Sequence, residues 1–231
     1  MTDVRIAREV TALPEARSVL AVCAHPDDES FGLGAALAAF VASGSSTSVL
    51  CFTHGEASTL GADAPELGRV RAAELADAAA ELGVMEIELL HYPDGGLGSE
   101  PLDLMTRHIQ KVVEHVQADL LLVFDEGGIT GHFDHHRATE AGVTAGHELG
   151  VPVLAWALPE FVTDELNREF GAGFVGRSTE ELDFLVPVDR ERQHKAIARH
   201  VSQVTDNPVL GRRLQLQGDL EAFRWLSVLL P

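Results

Sequence analysis

Basic residues are scarce in this chain. Its 231 residues hold 36 Asp and Glu against 17 Lys and Arg, a formal net charge of −19. A surface so acidic repels phosphate backbones and anionic lipid, which argues against nucleic-acid and membrane-surface partners. Long hydrophobic runs are also missing. No apolar stretch approaches the ~20 residues of a membrane helix, and the opening "MTDVRIAREV" lacks the apolar region of a signal peptide. A cytoplasmic location is the expectation. Cysteine is limited to Cys23 and Cys51, each inside an apolar run, so buried free thiols are expected rather than a disulfide framework. There is no internal repeat and no low-complexity linker. With 45% apolar residues and length enough for a sizeable core, the chain reads as a single domain over 1–231.

What the chain does have is alternation. Strand candidates at 18–24, 47–53, 86–92, 118–125 and 151–159 alternate with helix candidates at 30–44, 65–83, 101–117 and 134–150. Pro65 and Gly83 frame the second helix, and Leu104, Ile109 and Val112 mark an apolar face on the third. Such spacing predicts βαβ units. The fold class is therefore α/β: a Rossmann-like sandwich with a mostly parallel central sheet and helices on both faces. The βαβ core covers 1–160. Beyond it the pattern breaks, and 161–231 reads as a smaller C-terminal strand and helix extension. A short strand pair is expected within 171–189, and helices at 190–204 and 217–230.

Open α/β sheets bind ligands outside the carboxyl ends of their strands. Two polar clusters fall at such ends: "AHPDDES" (24–30) and "DEGGITGHFDHH" (125–136). Adjacent acids repel unless something cationic gathers them. His25 and Asp28, three residues apart on a turn entering a helix, can aim at one point, and imidazole with carboxylate suits Zn²⁺. A histidine from the second cluster, which holds His132, Asp134, His135 and His136, would complete a His₂Asp site with a position open for water. Asp27, beside a ligand but pointing elsewhere, is a natural proton acceptor. His132, its ring held by Asp134, fits oxyanion stabilisation.

Duller readings stand beside these. Asp28 or Asp27 could cap a helix, and His135 could lie on the polar start of another. Glu29 reads as a capping or supporting acid. Gly32 and Gly34 lack the dinucleotide fingerprint and read as close-packing positions. His54 and His91 either line the pocket or are ordinary loop histidines. His108, His115 and His147 take no role. His194 and His200 read as structural, with an edge-of-site role open for His200. Trp156 and Trp225 are expected in the core.

"AHPDDE" followed by "GHFDHH" resembles the LmbE-like, or PIG-L, family of zinc-dependent de-N-acetylases. Further elements resemble it too: "THGEA" (53–57), "RAAELADAAAELGV" (71–84), "YPDGGL" (92–97) and "KAIARHVSQV" (195–204). The resemblance implies His25, Asp28 and His135 as zinc ligands and Asp27 as general base. It implies His132 at the oxyanion or the leaving amine, Asp134 orienting a histidine, and Arg71 and Asp94 contacting sugar or aglycone hydroxyls. One position departs: some relatives carry Tyr where this chain has Thr130. The implied activity is removal of an acetyl group from an N-acetylglucosaminyl conjugate, a small-molecule amino sugar. Alternatives are an amidase on a sugar–thiol conjugate, a non-haem Fe(II) oxygenase sharing the His₂-carboxylate set, and a binding module without activity. A homo-oligomer is compatible with all of them.

Overall fold

A computed structural model describes residues 7–227. Among them one sheet contains β1 (Arg8–Glu9), β2 (Ser18–Cys23), β3 (Ser46–Thr53), β4 (Glu86–Tyr92), β5 (Leu120–Phe124), β6 (Val153–Ala157), β7 (Phe184–Pro187) and β8 (Leu220–Ser227). Their spatial order is β1-β7-β8-β6-β5-β2-β3-β4. The run from β6 to β4 is parallel throughout, and β8 is antiparallel to both of its neighbours. From β2 the chain steps outward to β3 and β4, then crosses back to β5 and on to β6. The order thus reverses between β2 and β5, and their carboxyl ends flank the crevice this creates.

The helices are α1 (Asp28–Phe31), α2 (Gly34–Ala42), α3 (Leu67–Leu82), α4 (Leu102–Val116), α5 (Gly128–Gly131), α6 (Phe133–Leu149), α7 (Glu160–Phe170), α8 (Glu191–Ile197), α9 (Val201–Val204) and α10 (Pro208–Gln217). The central strands are apolar on both faces because both faces are covered. Val19, Ala21 and Cys23 of β2 join a core with Leu37 and Phe40 of α2 and Leu75 and Leu82 of α3. The alternate residues Leu20 and Val22 join a second core with Met105 and Ile109 of α4 and Ala141 and Ala145 of α6. Small residues let α6 lie close to the sheet: a Cβ on Gly146 would meet Val153 Cγ2 at 2.4 Å. Cys23 and Cys51 are free, buried and opposite each other on β2 and β3, and burial pushes both thiols up.

The alternating first part of the chain matches the sequence reading, with two corrections. The helix expected at 30–44 is split into α1 and α2 around Gly32. A Cβ there would stand 2.3 Å from Phe124 Cε1, so glycine is what lets the chain pass this close to Phe124. On α4, Leu104 is exposed and Met105 takes the inward position.

The C-terminal part departs further. Helices α7 and α10 were not anticipated. Within 171–189 only β7 is a strand; Arg177 makes an isolated bridge to Pro159 instead of forming a pair partner. The helix expected at 217–230 is strand β8 as far as the described residues reach, and 228–230 lie outside them. Gly218 at φ 59 ends α10, and β8 then satisfies the backbone edges of both β6 and β7. This tertiary demand overrides a sequence with fair helix propensity. Trp156 is buried, whereas Trp225 packs only partly against the core.

Candidate metal centre

β2 ends at Cys23 and the chain turns at once into α1, which brings His25, Asp27 and Asp28 to the crevice. β5 ends at Phe124, and the loop that follows carries His132 and the start of α6 to the same place. His25 Nδ1 lies 3.2 Å from His135 Nε2, and His135 Nε2 lies 3.1 Å from Asp28 Oδ1. Ligand atoms of His25, Asp28 and His135 all fall within 4.8 Å of one another. Two nitrogens bound to a tetrahedral zinc stand about 3.3 Å apart, so these residues fit the ion.

The remaining atoms of the ligand groups are held. Asp28 Oδ2 accepts the backbone N–H groups of Ala24 and His25, each at 2.9 Å. His135 Nδ1 faces the Gly128 carbonyl at 3.0 Å, which places its proton there and leaves Nε2 bare. His25 Nε2 faces Asp94 Oδ1 at 3.0 Å and Asp134 Oδ2 at 3.3 Å, which directs Nδ1 toward His135. A second group, His25, His132 and Asp134, also lies within 4.8 Å. It is the poorer cradle, because Asp134 already accepts from Gly95 N (2.7 Å), Leu97 N (3.1 Å) and the His25 ring.

The electrostatics follow from this crowding. Burial alone would lower His25, but hydrogen bonds to Asp134 and Asp94 and the Asp28 charge lift it to about 10. Burial would raise Asp28; the His135 and His25 charges overcome it and hold the carboxyl far below its usual range. Asp27 is different. Burial pushes it up to about 6 against the pull of Arg71. Burial and then the charges of His25 and His135 lower His132, keeping its imidazole neutral. His132 Nδ1 accepts from the Asp134 backbone N–H at 3.2 Å, so the proton of the neutral ring sits on Nε2.

Asp27 Oδ2 meets Arg71 Nη2 at 3.0 Å. Its backbone sits at φ 119, a region that favours glycine and costs of order 1–3 kcal/mol for other residues. The fully buried Glu29 holds that conformation: Oε2 accepts the Asp27 N–H at 2.9 Å, while Oε1 meets His200 Nε2 at 2.6 Å.

A cavity of about 670 Å³ opens over these groups. His25, Asp27, Asp28, His132 and His135 line it, with Arg71, Asp94 and Thr130. Asp134 lies behind the wall and braces His25, not the ring of His132 as the sequence suggested. Arg71 spends its guanidinium on Asp27 and on the carbonyls of Gly55 and Pro26. Asp94 Oδ2 accepts from Ala57 N at 2.8 Å. His136 belongs to neither ligand group. His54 and His91 stack on each other, 2.9 Å between ring nitrogens, outside the cavity lining. The one tyrosine, Tyr92, pairs with His108 and is absent from the lining, so no tyrosine replaces the one missing at Thr130. Sequence reasoning did not anticipate the cavity residues Asn207, Leu210 and Arg213, because it placed no helix at α10.

The family described as GlcNAc-PI de-N-acetylase (PIG-L) matches residues 20–146. A 1D-myo-inositol 2-acetamido-2-deoxy-alpha-D-glucopyranoside deacetylase of Salinispora arenicola is 30% identical over 246 residues, covering 86% of this chain and 80% of that one. The fold is shared with the N,N'-diacetylchitobiose deacetylase of Pyrococcus horikoshii, at TM-score 0.68 and 24% identity over 92% of this chain and 84% of that one. It is equally shared with the 4-carboxy-2-hydroxymuconate hydratase of Pseudomonas putida, at TM-score 0.66 and 19% identity over 93% of this chain and 98% of that one. A common architecture therefore does not choose between hydrolysis and hydration; the sequence motifs and the close relative do. The chain belongs to the PIG-L family of de-N-acetylases.

Proposed function

We propose that the chain, acting as one catalytic unit over residues 1–231, is a zinc-dependent hydrolase that removes the acetyl group of an N-acetylglucosaminyl conjugate. The juxtaposition of His25, Asp28 and His135 around one point, each with its other polar atoms engaged, carries the reading. When bound there, zinc supplies Lewis acidity and lowers the pKa of a coordinated water from ~15.7 toward about 7. Iron chemistry with oxygen is disfavoured because an ionisable carboxylate, Asp27, faces the same cavity with no ligand role, as amide hydrolysis needs.

The chain's own groups divide the remaining work. Asp27 accepts the proton of the attacking water. Arg71 keeps Asp27 ionised near neutrality and fixes its direction. As the carbonyl oxygen gains charge, His132 donates to it from Nε2–H. The C–N bond then breaks, and the proton held by Asp27 passes to the departing amine, giving acetate and a free amino sugar. Asp134 and Asp94 hold the His25 ring throughout. Asp94 and the Ala57–Leu60 segment supply the polar wall for sugar hydroxyls. Assaying released amine from N-acetylglucosaminyl conjugates, with zinc content measured on the same protein, tests this. Zinc-loaded protein that releases no amine from any of them would retire it.

A further inference from the structure

The lining of the cavity divides by chemistry into two unlike arms. One, beyond the ends of β3 and β4, is polar and includes Ser58, Thr59 and Asp94. The other is apolar: Phe124, Ile129 and Trp156, at or beside the ends of β5 and β6, line it with Phe31, Phe174 and Leu210. Arg213 of α10 also lines the cavity, beside Trp156. The rings form a continuous apolar wall: His135 to Phe124 at 5.0 Å, Phe124 to Trp156 at 5.4 Å, and the Arg213 guanidinium carbon 5.1 Å from the Trp156 ring centre.

Arg213 is 5% exposed. It donates to the Phe31 carbonyl and, at 3.0 Å, to Gln217 Oε1, but among the described residues no carboxylate pairs with it. The other buried arginines differ: Arg71 meets Asp27 and Arg190 meets Glu221. Glu221 is fully engaged by Arg190 (2.5 Å), Trp156 Nε1 (2.5 Å) and Gln217 Nε2 (3.0 Å). Arg190, Glu221 and Arg213 together thus leave one positive charge uncompensated inside an otherwise strongly acidic protein. Burial draws Arg213 down to about 10, against Glu221, so it remains cationic at neutral pH. A buried charge without a counterion is costly and is relieved by an anionic ligand.

We infer that the arm ending at Arg213 is a second binding subsite, taking an apolar group that ends in a carboxylate and is joined to the amino sugar through its acyl or its glycosidic side. The subsite rests on the hydrolase reading for its substrates but not for its binding.

The test uses zinc-loaded wild type, Arg213→Gln and Arg213→Lys. Two matched pairs separate the sources: N-hexanoyl against N-adipoyl glucosamine, and phenyl against 4-carboxyphenyl N-acetylglucosaminide. One pair is expected to favour the carboxylate by about tenfold or more in kcat/KM, a ratio that falls near unity in Arg213→Gln and partly returns in Arg213→Lys. No preference in either pair, or a preference that survives Arg213→Gln, overturns the subsite. Calorimetric titration with the products is run in parallel: hexanoate against adipate, and phenyl against 4-carboxyphenyl glucosaminide. Tighter binding of a carboxylate-terminated product to wild type, lost in Arg213→Gln, upholds the subsite even where nothing is turned over, and the reaction alone then falls. Turnover without any carboxylate preference in wild-type binding overturns the subsite alone, and it requires no variant to fold.

Discussion

His25 Nδ1 and His135 Nε2 face each other at 3.2 Å across the ends of β2 and β5, although 110 residues separate them. Each ring has its other nitrogen fixed, by Asp94 and Asp134 in one case and by the Gly128 carbonyl in the other. Both remaining nitrogens are therefore aimed by the fold in advance, which reduces the ordering that a metal ion must impose.

Removing one brace should loosen the ion without removing a ligand. Asp134→Asn is expected to weaken zinc binding about 10–100-fold, as loss of an outer hydrogen-bond partner does. Competition with a calibrated chelator measures it. His135→Ala, which removes a proposed ligand, should lose most of its zinc under the same conditions.

Asp27 should separate metal binding from turnover. Asp27→Asn is expected to retain zinc at wild-type stoichiometry while kcat falls about 10²–10⁴-fold, the usual contribution of a general base. Metal analysis and steady-state rates on one preparation decide it; a near wild-type rate removes Asp27 from the chemistry.

The pH profile carries a sign. As the proposed base Asp27 would work ionised, and burial raises its pKa to about 6 against Arg71. Activity should fall as pH drops through the folded-state value. A bound dication pulls in the same direction as Arg71, so the acidic limb of kcat/KM in zinc-loaded wild type should lie at or below about pH 6. Arg71→Met removes the largest opposing charge and should move that limb upward. A limb that stays in place or moves down would detach Arg71 from the base.

The buried pair Glu29 and His200 should be worth more than its distance from the reacting atoms suggests. Glu29→Ala leaves His200 without its acid and frees the Asp27 N–H at a positive φ. Breaking such a pair costs about 3–5 kcal/mol, which chemical denaturation would report as a lower midpoint with unchanged slope.

Legibility differs along the chain for physical reasons. Strands β2, β3, β5 and β6 are buried along almost their whole length and read as largely apolar runs, and the helices between them carry their own start and stop residues. The residues now gathered around one point were visible because adjacent acids and clustered histidines are improbable without a cation. The brace from Asp134 to His25 was not visible, since it depends on how two loops pack. Strand β8 was not visible either. "LEAFRWLS" has no strict alternation, and only the unfilled edges of β6 and β7 make it extended. Arg213 was lost for the same reason, as α10 lies in a segment whose local pattern is weak.

The insertion of β8 between β6 and β7 has a consequence for synthesis. Until residues 220–227 have left the ribosome, β6 carries an unpaired row of backbone donors and acceptors, and Trp156 lacks the Glu221 carboxylate that receives its indole N–H. Chains in which β8 has not yet docked should present that sticky edge to one another, so the docking of β8 guards the sheet against edge-to-edge association.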